Sequence, residues 1–162
     1  MNGELRILGI DPGLAASGWG LLDYTGQRAR YLAHGCIETA PSQDHAERLL
    51  AIYEGIRAVL DRWQPAESAV EVLFFSRNVK SAIPVAEARG VFCMALAQAG
   101  LTVREFTPNA IKRAVTGVST ADKRQVQEMV RIILGLEDIP RPEHAADALA
   151  AAICAANSRM TL

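Results

Sequence analysis

Apolar residues in the first third of the chain occur in short runs separated by glycine-containing turns, a pattern typical of β-strands. The first run covers residues 5–11 and ends at Asp11-Pro12-Gly13. Two further runs cover residues 17–24 and 29–39, with a turn around Thr25-Gly26 between them. The three runs together predict an antiparallel three-stranded meander.

From residue 44 the apolar positions repeat with a helical period, and Asp44 and Glu47 occupy the cap and third positions of the first helix. This helix is predicted to end near Pro65. Short apolar runs then predict further strands at 68–73 and 103–106. The helical pattern predicts four further helices, at 81–98, 109–116, 120–134 and 145–157. Ser119 is the predicted N-cap of the helix at 120–134. This arrangement predicts a mixed α/β layer fold.

The length of 162 residues, half of them apolar, predicts a single domain over residues 1–162. The three cysteines form no CxxC pair, and their odd number favours reduced thiols over a disulfide framework. The longest run without a polar residue has nine residues, 148–156, which argues against a secretory signal or a membrane span.

The formal net charge of −1 conceals an uneven distribution. Residues 77–131 contain nine Lys or Arg and four Asp or Glu, a balance of +5, so the remainder of the chain carries −6. A basic half in a small domain suggests a polyanionic partner, although an ordinary solvated surface is the more common origin of such a bias.

Two carboxylates stand out in the predicted strands. Asp11 ends the first strand, where open α/β sheets place their ligand crevice, although Asp-Pro-Gly is also an ordinary turn sequence. Glu71 interrupts the apolar run 69–75, where an ionised carboxylate costs several kcal/mol unless it is paired or binds a cation. A salt bridge to an arginine explains Glu71 equally well at this stage.

His144 and Asp147 lie three residues apart in the first turn of the last helix, so both side chains project from one flank. A structural histidine, and an aspartate that favours the helix dipole, are the simpler interpretations. The hypothesis of a site depends on convergence, since three carboxylates and one imidazole at the ends of separate elements could meet in one crevice.

An ordered series of motifs covers nearly the whole chain. They are Gly9-Ile10-Asp11-Pro12-Gly13, Ala69-Val70-Glu71 followed by Phe74-Phe75, Ile111-Lys112-Arg113 to Thr116-Gly117, Asp122-Lys123 to Val126, Met129-Val130-Arg131, and Ala145-Ala146-Asp147-Ala148-Leu149-Ala150. In this order they resemble the RuvC-type Holliday junction resolvases. The resemblance implies a ribonuclease H-like mixed sheet, with an antiparallel three-stranded meander plus parallel strands, flanked by helices.

The resemblance also implies a metal-binding and catalytic set of Asp11, Glu71, His144 and Asp147. Many members have a fourth aspartate at the position of His144, and some bacterial members have histidine. The cofactors expected are Mg²⁺ or Mn²⁺, two ions per active site, with Asp11 bridging, Glu71 and Asp147 flanking, and His144 as a ligand or an aid to water activation.

Basic and aromatic residues supply candidate DNA contacts. Lys123 suits stabilisation of the phosphate transition state and is also assigned a catalytic role, although a single lysine is more often merely exposed. Phe74 and Phe75 point opposite ways in an extended chain, so one could stack on an unpaired base, unless both belong to the core. The resemblance implies that Phe74, Lys112 and Lys123 contact DNA near the scissile phosphate. The full set of DNA-binding candidates is Phe74, Phe75, Arg77, Lys80, Lys112, Arg113, Lys123 and Arg124.

The function implied is a structure-specific endonuclease that resolves Holliday junctions in homologous recombination and DNA repair, by metal-dependent nicking of two strands that leaves 5′-phosphate and 3′-hydroxyl ends. Symmetric cutting is natural for a homodimer acting on four-way junction DNA. The resemblance also implies the RuvA-RuvB branch-migration complex as a partner, and a cytoplasmic, nucleoid-associated location without membrane attachment. The alternative is a catalytically silent branched-DNA-binding module of the same fold. A nucleotide-binding ATPase is disfavoured because no second glycine-rich phosphate loop is present.

Overall fold

A computed structural model describes residues 4–72 and 78–159 of the chain and places five strands of that part in one sheet. The sheet order is β3-β2-β1-β4-β5. The strands β1, β2 and β3 are antiparallel neighbours, whereas β1, β4 and β5 run parallel. This arrangement confirms the mixed sheet and its three-stranded meander. The strands are β1 (Leu5–Asp11), β2 (Ala16–Tyr24), β3 (Ala29–Glu38), β4 (Glu67–Glu71) and β5 (Thr102–Phe106).

Helices cover both faces of this sheet. On one face, α1 and α2 pack against each other and on the sheet, and on the other face α5 lies on the sheet with α3 and α4 outside it. None of the helices in the described ranges is long and apolar enough to cross a membrane. The helices are α1 (His45–Trp63), α2 (Val79–Gln98), α3 (Pro108–Thr116), α4 (Lys123–Leu134) and α5 (Glu143–Asn157).

Alternation along β1 divides the interior into two hydrophobic cores. Leu8 and Ile10 pack with Phe92 and Leu96 on the side of α1 and α2, whereas Ile7 packs with Leu149 on the side of α5. Successive strand residues face opposite sides of the sheet, so Asp11 shares the α5 side with Ile7. The same alternation that builds the two cores therefore directs Asp11 toward α5.

Three glycines let α5 lie unusually close to the sheet. A Cβ atom at Gly9 would overlap the carbonyl oxygen of Ala148, and one at Gly18 would overlap the carbonyl oxygen of His144. A Cβ at Gly20 would meet the Leu149 side chain. Because these positions have no side chain, the α5 backbone rests directly on β1 and β2, as glycine in a strand permits.

Most elements differ from the sequence prediction by one or two residues at one or both ends, and α4 differs by three at its start. α4 begins at Lys123 rather than residue 120, because Asp122, not Ser119, caps it and forms a capping box with Gln125. The preceding residues form a turn that buries Ala121 in the core. β4 ends at Glu71, although the Val72 N–H still donates to the Phe106 carbonyl, and residue 73 lies outside the described ranges.

We expect Gly9→Ala to destabilise the protein by about 2–3 kcal/mol or more, since the new methyl group would force α5 away from β1. A matched control is Gly90→Ala on α2, where a Cβ meets nothing within 4 Å. That exchange should raise stability by about 0.5–1 kcal/mol through helix propensity. Thermal or urea unfolding measures both, and equal effects of the two substitutions would contradict the close packing of α5.

Candidate active site

Two carboxylates lie side by side at the carboxyl ends of neighbouring parallel strands. Ile10 pairs with Val70 between β1 and β4, so the next residue of each strand, Asp11 and Glu71, stands at the same level and faces α5. In the loop that follows Asp11, the Gly13 N–H donates a hydrogen bond to Ser17 Oγ at 3.0 Å. The end of the sheet thus fixes both groups in one crevice.

The first turn of α5 brings two more side chains to this crevice. His144 Nδ1 lies 2.9 Å from Asp11 Oδ2, a distance at which an imidazole N–H donates to a carboxylate. Asp11, His144 and Asp147 each offer one potential ligand atom, and these three atoms lie within 4.8 Å of one another. The structure therefore brings together three of the four residues proposed from sequence, with Glu71 beside them but outside this tight group.

Glu71 is held in an environment that disfavours its charge. Burial, together with the negative charges of Asp11 and Asp147, raises the pKa of Glu71 to about 7, against a partial offset from Lys112 and Lys123. In the described part of the chain Glu71 forms no salt bridge, so the arginine partner considered at first is not observed there.

Burial also raises the pKa of Asp11, and the charge of Asp147 adds to that effect, while the hydrogen bond from His144 opposes it. A positive charge between Asp11 and Glu71 would therefore stabilise the ionised form of both carboxyl groups. Carboxylate oxygens and an imidazole nitrogen suit Mg²⁺ and Mn²⁺, so the donor set fits a divalent cation.

Lys123 and Lys112 line a cavity of about 320 Å³ together with Glu71 and Asp147. Lys123 Nζ lies 3.2 Å from Asp147 Oδ2 and 3.1 Å from Glu143 Oε2. Burial lowers the pKa of Lys123, but the hydrogen bond to Glu143 and the charge of Asp147 outweigh it, so the pKa is raised overall. This cavity places two ammonium groups next to the acidic crevice.

Glu143 is the residue of this region that the sequence analysis missed. It stands one turn before Asp147 in α5, and the i, i+4 spacing puts both carboxylates on one flank. The Lys123 hydrogen bond lowers the pKa of Glu143. The spacing was visible in the sequence, but the lysine that bridges the two carboxylates comes from another helix.

The described members among the remaining DNA-contact candidates do not line the cavity beside Asp147. Phe74, Phe75 and Arg77 lie outside the described residues, so their roles stay predictions. Lys80 and Arg113 are exposed on the first turn of α2 and the last turns of α3. Arg124 lines a different cavity, with Thr116 and Gln125, and does not line the one beside Asp147.

A five-stranded mixed sheet of this order, with an acidic group at the ends of β1 and β4 and at the start of α5, defines the class of ribonuclease H-like nucleases. The family model described as crossover junction endodeoxyribonuclease RuvC matches residues 7–155. The chain belongs to the RuvC family, whose members are hydrolases of DNA.

Individual relatives agree with this assignment. The crossover junction endodeoxyribonuclease RuvC of Chloroflexus aurantiacus is 52% identical over 158 residues, which cover 98% of this chain and 96% of the relative. The RuvC structure of Thermus thermophilus superposes with a TM-score of 0.88 at 38% identity and covers 97% of each chain. A second structure, of T. thermophilus RuvC in complex with Holliday junction substrate, gives 0.87 at 37% identity and covers 96% of each chain.

Without divalent metal, the protein should lose stability as the pH rises from about 4.5 to about 7. In that window the folded state retains the Glu71 proton that the unfolded state has released, so deprotonation favours unfolding. The loss should be roughly 1–2 kcal/mol, reduced by solvent screening because Glu71 is only partly buried.

Melting temperatures in EDTA across this pH range measure the effect, and Glu71→Gln should flatten the curve. Addition of Mg²⁺ at pH 7 should release protons, which calorimetry in buffers of different ionisation enthalpy detects. A pH dependence identical in the wild type and Glu71→Gln would contradict the pKa assigned to Glu71.

Proposed function

We propose that this protein resolves Holliday junctions by metal-dependent nicking of two strands, leaving 5′-phosphate and 3′-hydroxyl ends, in homologous recombination and DNA repair. The observation that carries the proposal is the meeting of Asp11, His144 and Asp147 next to Glu71, at the edge of a cavity lined by Lys112 and Lys123. The T. thermophilus relative bound to a Holliday junction supports the choice of substrate.

The acidic residues would hold two ions of Mg²⁺ or Mn²⁺. Asp11 would contribute to both ions, because it lies close to His144 and Asp147 and, through the pairing of β1 with β4, next to Glu71. Glu71 and Asp147 would be the flanking ligands. The ions, when bound, supply an activated water and stabilise negative charge on the leaving 3′ oxygen.

One ring nitrogen of His144 is used in the hydrogen bond to Asp11, and the other is left to bind a further partner. With Nδ1–H donating to Asp11, Nε2 is left to bind a cation or to accept a proton from water. Asp11 thereby orients the imidazole, an arrangement that fixes both the ring plane and the tautomer. His144 is accordingly a ligand or a proton acceptor in this proposal.

Lys112 and Lys123 act on the DNA rather than on the metal. Their ammonium groups border the cavity beside Glu71 and Asp147, where they can offset the negative charge of the scissile phosphate. Lys80, Arg113 and Arg124 are proposed as further phosphate contacts, which would contribute affinity that weakens with salt. Phe74, with Phe75 as the alternative, is proposed to stack on a base that the junction leaves unpaired.

Symmetric cutting calls for two active sites, and we propose a homodimer that presents them. Four large apolar side chains are at least half exposed on α1 and α2, which supports a partner there, and they are Leu50, Val79, Ile83 and Met94. Association with the RuvA-RuvB branch-migration complex and with the nucleoid are further proposals that follow from family membership.

Asp11→Asn, Glu71→Gln and Asp147→Asn should each reduce nicking of a synthetic four-way junction by about 10²–10³-fold or more, because each removes charge from the metal-binding group. Junction binding should persist, since phosphate contacts supply most of the affinity. The metal-free proteins should be as stable as the wild type or slightly more so, because carboxylate repulsion is relieved. Cleavage gels and band shifts measure the two activities.

The matched control is Glu54→Gln, which removes one exposed carboxylate from α1 on the opposite face of the sheet. It should cut at the wild-type rate, and EDTA should abolish cutting by both. Wild-type cutting rates in the three active-site variants would refute the assigned metal ligands. A wild-type protein that binds junctions and never cuts them would favour the binding-only alternative.

His144→Asp should remain active and shift its metal preference toward Mg²⁺, because a carboxylate is the harder ligand. The same substitution should destabilise the metal-free protein, since it places a second carboxylate against Asp11. His144→Ala should lose most of its activity in either metal. Normal cutting by the alanine variant in both Mg²⁺ and Mn²⁺ would show that His144 is structural.

A further inference from the structure

One ammonium group joins two helices at the edge of the acidic crevice. Lys123, the first residue of α4, contacts Glu143 Oε2 at 3.1 Å and Asp147 Oδ2 at 3.2 Å, both from α5. The Lys123 side chain is 53% exposed, so its position is not imposed by packing. The two carboxylates are what hold it beside the cavity.

The two carboxylates differ in whether they also belong to the group of potential metal ligands. Asp147 belongs to the group of potential metal ligands with Asp11 and His144, whereas Glu143 does not. Within the described residues, Lys123 is the only cation with which Glu143 forms a salt bridge. A divalent cation at Asp147 would compete with the ammonium for that carboxylate and would repel it. Only Glu143 would then remain to keep Lys123 in place.

We propose that Glu143 is a positioning residue that holds the Lys123 ammonium at the mouth of the cavity when Asp147 is engaged by metal. This inference rests on the proposed function, in which Lys123 faces the scissile phosphate. Glu143 touches neither substrate nor metal and acts only through Lys123. A lysine without this second carboxylate would move into solvent and lose its preorganisation toward the phosphate.

The test is a double-mutant cycle on junction cleavage at saturating Mg²⁺, because a residue that acts through another loses its effect when that other is removed. Glu143→Gln should lower kcat about 5- to 20-fold with the junction KM changed less than about 2-fold. Glu143→Asp should recover part of the loss. In the Lys123→Met background, Glu143→Gln should have no further effect.

The matched control is Glu137→Gln, which removes the same charge from an exposed position in the segment before α5. It should cut at the wild-type rate. An equal loss of kcat from Glu143→Gln in the presence and absence of Lys123 would overturn the inference, since Glu143 would then act independently. Wild-type kcat in Glu143→Gln would overturn it as well.

A spectroscopic readout tests the same coupling without any cleavage. The ¹³Cε–¹⁵Nζ correlation of Lys123, assigned by its absence in Lys123→Met, should stay distinct from those of solvent-exposed lysines when Mg²⁺ is added to the wild type. In Glu143→Gln with Mg²⁺ it should merge with them. A Lys123 signal that is unchanged by Glu143→Gln, with and without Mg²⁺, would overturn the inference.

The two proposals fail in different ways. A wild-type protein that cannot cut junctions removes the proposed function, while the spectrum still reports whether Glu143 holds Lys123. A wild-type protein that cuts while Glu143→Gln cuts equally well removes only the positioning role.

Discussion

The close approach of α5 to the sheet is the constraint on which the candidate site depends. Gly9, Gly18 and Gly20 place no side chains under the helix, and α5 packs on them with small residues such as Ala148 and Ala152, both fully buried. Only at this separation can the short side chains of the first helical turn reach the end of β1. The distance between His144 and Asp11 is therefore a consequence of how closely the α5 backbone packs on β1 and β2.

A carboxyl group elsewhere in the molecule shows how the protein treats a buried charge that serves the fold. Asp23 on β2 is 1% exposed and accepts hydrogen bonds from Arg6 at 2.9 Å and Arg30 at 3.0 Å. Glu71 is partly buried without such a partner in the described residues, and its pKa rises. The chain thus neutralises one buried carboxylate internally and leaves the other with a raised pKa and no salt-bridge partner in the described residues, at some cost in stability.

Much of the sheet could be predicted from local pattern. β1 was predicted at its observed bounds, and β2 and β3 differ by a single residue at one end each, because glycine turns and apolar runs are local signals. The start of α4 was wrong, because Ser119 and Asp122 are both good caps and the capping box forms at Asp122 with Gln125. Burial of Ala121 in the core just before Asp122 is a tertiary contact that local sequence does not reveal.

The site residues likewise divide into features that local sequence could predict and features that depend on the fold. Asp11 could be placed at a strand end, Glu71 within a predicted strand, and His144 and Asp147 on one helix flank, from local pattern alone. That these four belong together came from the ordered motifs, because no local pattern gives the distance between a strand and a helix 130 residues later. Glu143 was missed for the same reason, since its partner Lys123 belongs to a different helix. The role of the three glycines under α5 is likewise apparent only from the position of the helix in the fold.

The most direct test of this account is a crystal structure of the protein soaked in Mn²⁺, with the ion located by anomalous scattering. We expect anomalous density in the crevice, bound by oxygens of Asp11, Glu71 and Asp147 with His144 beside it, and loss of that density in Asp11→Asn. Anomalous density only at other residues, or none in this crevice at millimolar Mn²⁺, would contradict the claim that the packing of α5 on the sheet builds a metal centre.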